Sequence, residues 1–211
     1  MTSVIMVRHA RTADNAARLF AGQSDTPVLD SALTAIAPWS QLRTEVPVAV
    51  FSSPQRRARQ TAAGLFGSRG HSIDPRLAER HLGVLDGQSI DTVRREQPEI
   101  AEQLANDLQF APAGGESAAD VADRVRSFLS EVLTTWADNG PVVCVTHGGL
   151  MAITLRVLAG MTVRPQIANL EQISLRVNRT REQLDITYDG TLIPGGLVES
   201  PAAAAAAEAA R

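Results

Sequence analysis

Lysine is missing from this chain: all 20 of its basic side chains are arginines. Any grip on a phosphate or carboxylate must therefore be made by planar guanidinium forks, which bind such groups bidentately. There is one cysteine, Cys144, so no disulfide framework can form within the chain. Its place in the apolar run Val142 to Val145 marks it as a buried thiol rather than a reactive one. Aromatic residues make up 4% and offer no evident stacking platform for a ligand. Charge of neither sign dominates: the net charge of −3 excludes the global basic field of a nucleic-acid binder. Apolar runs are short. The first, Val4 to Val7, is too brief for a signal-peptide core, and none reaches membrane-spanning length, which predicts a cytoplasmic protein with no membrane partner.

What is present reads as one catalytic α/β domain over residues 1–197, followed by a low-complexity, Ala-rich tail over 198–211. Strands are expected at Val4–Val7, Val48–Phe51, Val142–Val145, Ile173–Val177 and Leu184–Tyr188. Between them lie helical patterns. In "ESAADVADRVRSFLSEVLTTW", Val121, Val125, Phe128, Leu129, Val132 and Trp136 share one face, with Ser117 placed to cap and Asp120 three residues on. "PQRRARQTAAGLFG" predicts a second helix with Pro54 in its first turn, and "GGLMAITLRVLAG" a third, buried one. Alternating strands and helices predict a three-layer α/β/α sandwich around a mostly parallel sheet, with the last two strands forming an antiparallel edge.

In such sheets ligands bind beyond the carboxyl ends of the strands. Arg8 and His9 follow the first run. Ser52, Ser53 and a helix carrying Arg56, Arg57 and Arg59 follow the second, and Thr146, His147, Gly148 and Gly149 follow the third. Two of only four histidines thus meet arginines at one sheet edge. That set suits phosphoryl transfer, in which fixed cations surround the equatorial oxygens and a neutral histidine attacks phosphorus. A carboxyl group to protonate the leaving alkoxide is available in "RLAERHLGVLDG", at Glu79.

"RHARTADN", "SSPQRRARQTA", "LAERHLGVLDG", "GGES" and "VTHGG", in that order, resemble the histidine phosphatase superfamily, which includes cofactor-dependent phosphoglycerate mutases. The resemblance implies a phosphoglycerate mutase-like fold and a histidine-type acid phosphatase, a phosphoric monoester hydrolase acting without metal or other cofactor through a phosphohistidine. It further implies His9 as nucleophile and Glu79 as general acid, then base. His147 would donate a hydrogen bond to the phosphoryl group, with Arg8, Asn15, Arg57 and Gly148 binding phosphate. Thr12 matches the first motif as well.

Three departures accompany the match. Ala10 stands where glycine is usual. Gln55 stands where leucine is common, which reads as a difference of packing. "LDSALTAIAPWSQLR" replaces the usual helix start and puts Pro38 mid-segment, predicting a broken or shortened helix.

Other charged residues have plain readings. Arg56 and Arg59 read as surface charges, Arg94 and Arg95 as a solvated helix face, and Glu116 as first-turn stabilisation of the long helix. His81 is expected to line the pocket or pack, and His71 to lie on the surface. The expected partner is a small phosphate ester, such as a sugar or glycerate phosphate, with self-association into a homo-oligomer left open. A mutase needs a lid to exclude water, and the short segment from Gly87 to Gly114 leaves little chain for one, which favours hydrolysis. A non-catalytic phospholigand-binding module on the same fold is the alternative of another class. A metal-dependent hydrolase with His9 and His147 as ligands is a third.

Overall fold

The computed structural model describes residues 1–39, 46–162, 165–180 and 183–193. Six strands form one sheet: β1 (Thr2–Arg8), β2 (Ala49–Ser52), β3 (Ser72–Ile73), β4 (Val142–Thr146), β5 (Gln172–Thr180) and β6 (Gln183–Ile193). Their order is β3-β2-β4-β1-β5-β6. The first four in that order run parallel, and β5 and β6 continue the sheet antiparallel. Seven α-helices are described: α1 (Ala13–Ala16), α2 (Asp30–Thr34), α3 (Arg56–Phe66), α4 (Ile90–Glu96), α5 (Pro98–Asn106), α6 (Ala118–Trp136) and α7 (Gly148–Ile153).

The period-2 alternation of β1 and β4 splits the core into the expected layers. Val4, Met6, Val142 and Cys144 pack with Val121, Val125, Phe128 and Leu129 of α6. Ile5, Val7, Val143 and Val145 face the other way, toward Ala58, Ala62 and Leu65 of α3. Each such buried aliphatic or aromatic side chain contributes about 1.5–3 kcal/mol relative to exposure. A third, smaller cluster joins Leu82, Leu85, Val93 of α4 and Leu104 of α5, with Phe20 and Ala101 against it.

The capping box on α6 forms as its sequence predicts. Ser117 Oγ accepts from Asp120 N at 3.1 Å, and Asp120 accepts from Ser117 N at 2.9 Å. Three local expectations shift. Pro54 lies ahead of α3, whose N-cap is Gln55. The helix expected from Gly148 onward stops at Ile153 and widens into one π turn over Thr154–Leu158. There Thr154 Oγ1 donates to Leu150 O at 2.9 Å, a back-bond that loosens the regular ladder. The shortened helix anticipated in that segment is α2, ending at Thr34; residues 40–45 lie outside the described residues, as does the Ala-rich tail. Among the described residues no helix is long and apolar enough to cross a membrane.

Candidate active site

Strands β2, β4 and β1 are neighbours, so their carboxyl ends deliver Ser53, His147 and His9 to one place. Parallel pairing extends past the strand end, with His9 N donating to Thr146 O at 2.9 Å. The rings of His9 and His147 lie 5.1 Å apart, centroid to centroid. Above them a cavity of about 890 Å³ opens between the sheet edge and helices α4 and α5. Arg8, His9, Asn15, Glu79, Gly148 and Gly149 form its charged end.

His9 is held by its neighbours in one tautomer. Its Nδ1 lies 2.7 Å from Ala10 O, and a carbonyl only accepts, so Nδ1 carries the proton. The Nε2 lone pair is left for other work. The ring also stays neutral, because burial foremost, then the charges of Arg57 and Arg8, push its pKa well below the usual 6.5. Ala10, the departure from glycine, is buried without difficulty, and its amide donates to Thr61 Oγ1 at 2.9 Å.

Arg8 uses one Nη1 on Ile167 O at 2.5 Å. Its Nε is buried with no partner among the described residues, which leaves a donor edge beside Gly148. Gly148 is close enough that a Cβ there would stand 3.1 Å from that Nε. Asn15 accepts through Oδ1 from Thr12 N at 3.2 Å and from Asn169 Nδ2 at 3.1 Å, which turns its own amide donors to the cavity. Thr12 serves as the N-cap of α1, accepting from Asn15 N.

Arg57 and His147 lie behind the cavity wall, 1% and 0% exposed. A buried guanidinium must find partners for its donors. Arg57 donates through Nε to His147 Nδ1 at 3.2 Å, through Nη2 to Ala21 O and Gly22 O, and through Nη1 to Ser24 O. One Nη1 proton has no partner among the described residues. The loop carbonyls it uses are themselves fixed, since Gly22 N and Gln23 N donate to the Asp86 carboxylate. Because Arg57 can only donate, His147 Nδ1 is the acceptor and Nε2 bears the proton, which goes to Ser53 Oγ at 2.7 Å. Burial foremost, and then Arg57, keep this ring neutral too.

Glu79 follows a short 3₁₀ turn, Pro75–Leu77, anchored by Thr146 Oγ1 donating to Leu77 O at 2.7 Å. Its carboxyl oxygens accept from Gly149 N, Leu150 N and Arg80 N at 2.8–2.9 Å. Behind it Arg124 donates to Glu79 O and pairs with Glu116, which in turn accepts from His81 N. Glu116 therefore fixes the acid's loop rather than only the start of α6. His81 packs, its Nδ1 accepting from Gly83 N, and is not on the cavity. His71 is half-buried rather than a surface residue. Arg94 stands on the cavity wall, whereas Arg95 pairs with Glu96. Gln55 is buried and hydrogen-bonded, so the packing reading of that position gives way to a polar one.

Asn169 was invisible to sequence reasoning. It donates to His9 O at 2.9 Å as well as to Asn15, yet it sits in an irregular stretch before β5 with no motif around it. Ser53 and Thr61 lie inside the second motif and carried a signal only by proximity to Arg57. Among the described residues no group of three His, Cys, Asp or Glu is placed to hold a metal.

A singly protonated histidine with arginines near it, and a carboxyl group on the same cavity, is a set of groups suited to phosphoryl transfer. The chain belongs to the histidine phosphatase superfamily (branch 1), whose family model matches residues 4–189. It is 38% identical over 169 residues to a glucosyl-3-phosphoglycerate phosphatase of Mycolicibacterium vanbaalenii, covering 76% of this chain and 75% of the relative. A solved mycobacterial glucosyl-3-phosphoglycerate phosphatase, complexed with VO3, superposes with a TM-score of 0.77 at 30% identity, over 90% of this chain and 98% of that one. Phosphoglycerate mutase from Thermus thermophilus is similar at a TM-score of 0.70 and 26% identity, over 92% of this chain and 99% of that one. The relatives named glucosyl-3-phosphoglycerate phosphatase are phosphoric monoester hydrolases, and the phosphatase reading of the sequence agrees with them.

Proposed function

We propose that this chain hydrolyses the phosphomonoester of a small phosphorylated metabolite through a phosphohistidine at His9. The observation that carries the reading is the geometry of His9 at the cavity: Nδ1–H given to Ala10 O, and Nε2 with no partner among the described residues, in a ring that burial keeps neutral. Nε2 attacks phosphorus as the P–O bond to the alcohol breaks, and Glu79 gives its proton to the departing alkoxide. Glu79 then takes a proton from water, the water oxygen attacks phosphorus, and the N–P bond breaks to release inorganic phosphate and neutral His9. Arg8 supplies its free donor edge and Asn15 its amide to the phosphoryl oxygens, and Arg57 supplies positive charge from behind the cavity wall. His147 acts from behind, as a neutral acceptor that orients Arg57. Its two ring nitrogens are engaged by Arg57 and Ser53, which speaks against the metal-ligand reading.

The relatives named for glucosyl-3-phosphoglycerate suggest a phosphorylated glycerate carrying a sugar as the substrate class. A cavity of about 890 Å³ exceeds a bare phosphoglycerate, and Arg11 and Arg94 on its wall supply cations for a second anionic group. A mutase reading is less favoured because the segment between Gly87 and Gly114 holds only α4 and α5 and supplies no long lid.

The test is phosphate release from a panel of phosphomonoesters in EDTA, including 3-phosphoglycerate and glucosyl-3-phosphoglycerate. Turnover by wild type that falls by about 10³-fold or more in His9→Ala is expected. Turnover surviving in that variant overturns the nucleophile assignment, and no turnover of any ester overturns the phosphatase reading.

A further inference from the structure

Gln55 occupies the N-cap position of α3 yet gives its side chain no capping bond. N-cap side chains ordinarily serve the helix's first amides. This one is turned away and buried, 6% exposed, and every polar group it meets belongs to another part of the site. Its Nε2 donates to Gly22 O at 2.5 Å. Its Oε1 accepts from Glu79 N at 3.0 Å and from Ser53 Oγ at 3.1 Å. The amide orientation is fixed by these partners, because a carbonyl only accepts and a backbone N–H only donates.

The bonds close a ring. Arg57 Nε donates to His147 Nδ1, His147 Nε2 to Ser53 Oγ, Ser53 Oγ to Gln55 Oε1, and Gln55 Nε2 to Gly22 O. Gly22 O is also the acceptor of Arg57 Nη2, where the circuit began. Each donor in it has one available direction, so the members hold each other's tautomers and rotamers. The backbone of Glu79 hangs on this ring at one point, the Oε1 of Gln55. A leucine there would fill the space but cut the circuit in two places and leave the Glu79 amide without an acceptor.

We propose that Gln55 is a positioning residue that couples the general acid to Arg57 and to the His147 that orients it, setting the Glu79 carboxyl relative to that pair. The proposal rests on the phosphatase reading for its kinetic consequence. Its chemical signature is a dependence on the leaving group: an alkoxide needs the proton of Glu79, whereas p-nitrophenolate leaves without one.

The experiment compares wild type with Gln55→Leu by rapid-quench measurement of phosphoenzyme formation from an alkyl phosphomonoester and from p-nitrophenyl phosphate. The alkyl ester is expected to react about tenfold slower or worse in the variant, and the aryl ester to stay within about threefold. Equal losses on both esters, or no loss on either, overturn the proposal, since a merely structural residue would move both alike. Should Gln55→Leu fail to fold, Gln55→Met has the length of glutamine without its polar atoms and is held to the same two rates. Hydrogen exchange of the Glu79 amide, followed by NMR, gives a readout free of activity. It should speed up by about tenfold or more in the variant, and unchanged protection overturns the proposal. A wild type inactive on every ester would overturn the phosphatase reading, and the exchange measurement would still decide the role of Gln55.

Discussion

Adding one methyl group at Gly149 should disable the acid while leaving the nucleophile in place. Gly149 N donates to Glu79 Oε2 at 2.9 Å and Leu150 N to Oε1 at the same distance, so the carboxyl lies flat against the first turn of α7. A Cβ on Gly149 would stand 2.6 Å from Oε1 and 2.9 Å from both Cδ and Oε2. Ordinary contact begins at 3.4 Å, so the carboxyl must retreat by about 0.8 Å. That takes both amide bonds beyond normal hydrogen-bond length. Misplacing a catalytic group by about 1 Å costs about 100-fold, or about 2.7 kcal/mol of barrier. The crowding destabilises the fold by about 1–3 kcal/mol, offset by about 1 kcal/mol from alanine's better helix propensity, so the variant stays folded. For Gly149→Ala we expect turnover of alkyl phosphates to fall about 100-fold. With p-nitrophenyl phosphate the burst of p-nitrophenol should persist near the wild-type rate, followed by slow turnover and an accumulating phosphohistidine, because Glu79 also activates water. Gly148→Ala is the control: its Cβ would meet the end of the Arg8 side chain at 3.1 Å, which can shift, so KM should rise by a few-fold, to about threefold, with kcat nearly kept. Alkyl phosphate turnover within about threefold of wild type in folded Gly149→Ala would refute the placement of Glu79 as acid.

Two predictions concern pH. Burial is the larger cause of the depressed pKa of His9 and the Arg57 charge the next, so Arg57→Gln should raise that pKa and move the acid limb of kcat/KM to higher pH. An acid limb that does not move, in whatever activity the variant retains, would remove Arg57 from the field at the nucleophile. Stability should also fall as pH drops below about 6.5, because His9 and His147 stay neutral in the folded state while the unfolded chain takes up protons. The slope approaches about 1.4 kcal/mol per pH unit for each histidine, and urea unfolding between about pH 6.5 and 5.5, above most of the range where carboxylates titrate, would measure it. A flat profile there would mean that the two rings are not neutral in the folded protein.

What the sequence disclosed was local or periodic. Val4 to Val7 announced a strand by composition, and Ser117 with Asp120 announced a helix start by spacing alone, because each signal is complete within a few residues. His9, Arg57, Glu79 and His147 were legible because they sit in motifs at strand ends or just past them. Their supports were not. Asn169 reaches His9 across 160 positions, Arg124 reaches Glu79 across 45, and Asp86 holds the loop that Arg57 needs from 64 residues away. No pattern marks such partners, since they are chosen by the fold and not by neighbours in the chain. Gln55 shows the same limit from another side: set against a family in which leucine is common, it looked like a change of packing. Only the meeting of Gly22, Ser53 and Glu79 around it reveals a polar role.

The absence of lysine acquires a meaning inside this site. Arg57 is almost wholly buried beside two histidines that must stay neutral, one to attack phosphorus and one to accept from Arg57 itself. A lysine under the same desolvation could shed its proton, and its charge would be lost from the field that depresses His9. It would also have three donors on one nitrogen, where Arg57 spreads four bonds over three nitrogens, reaching His147 on one side and the carbonyls of Ala21, Gly22 and Ser24 on the other. The guanidinium therefore serves twice. Its charge keeps the nucleophile unprotonated, and its width fixes both His147 and the loop over it. Because both effects act through one side chain, the neutrality of His9 and the geometry of the phosphate grip are coupled, and neither can be altered at Arg57 without the other.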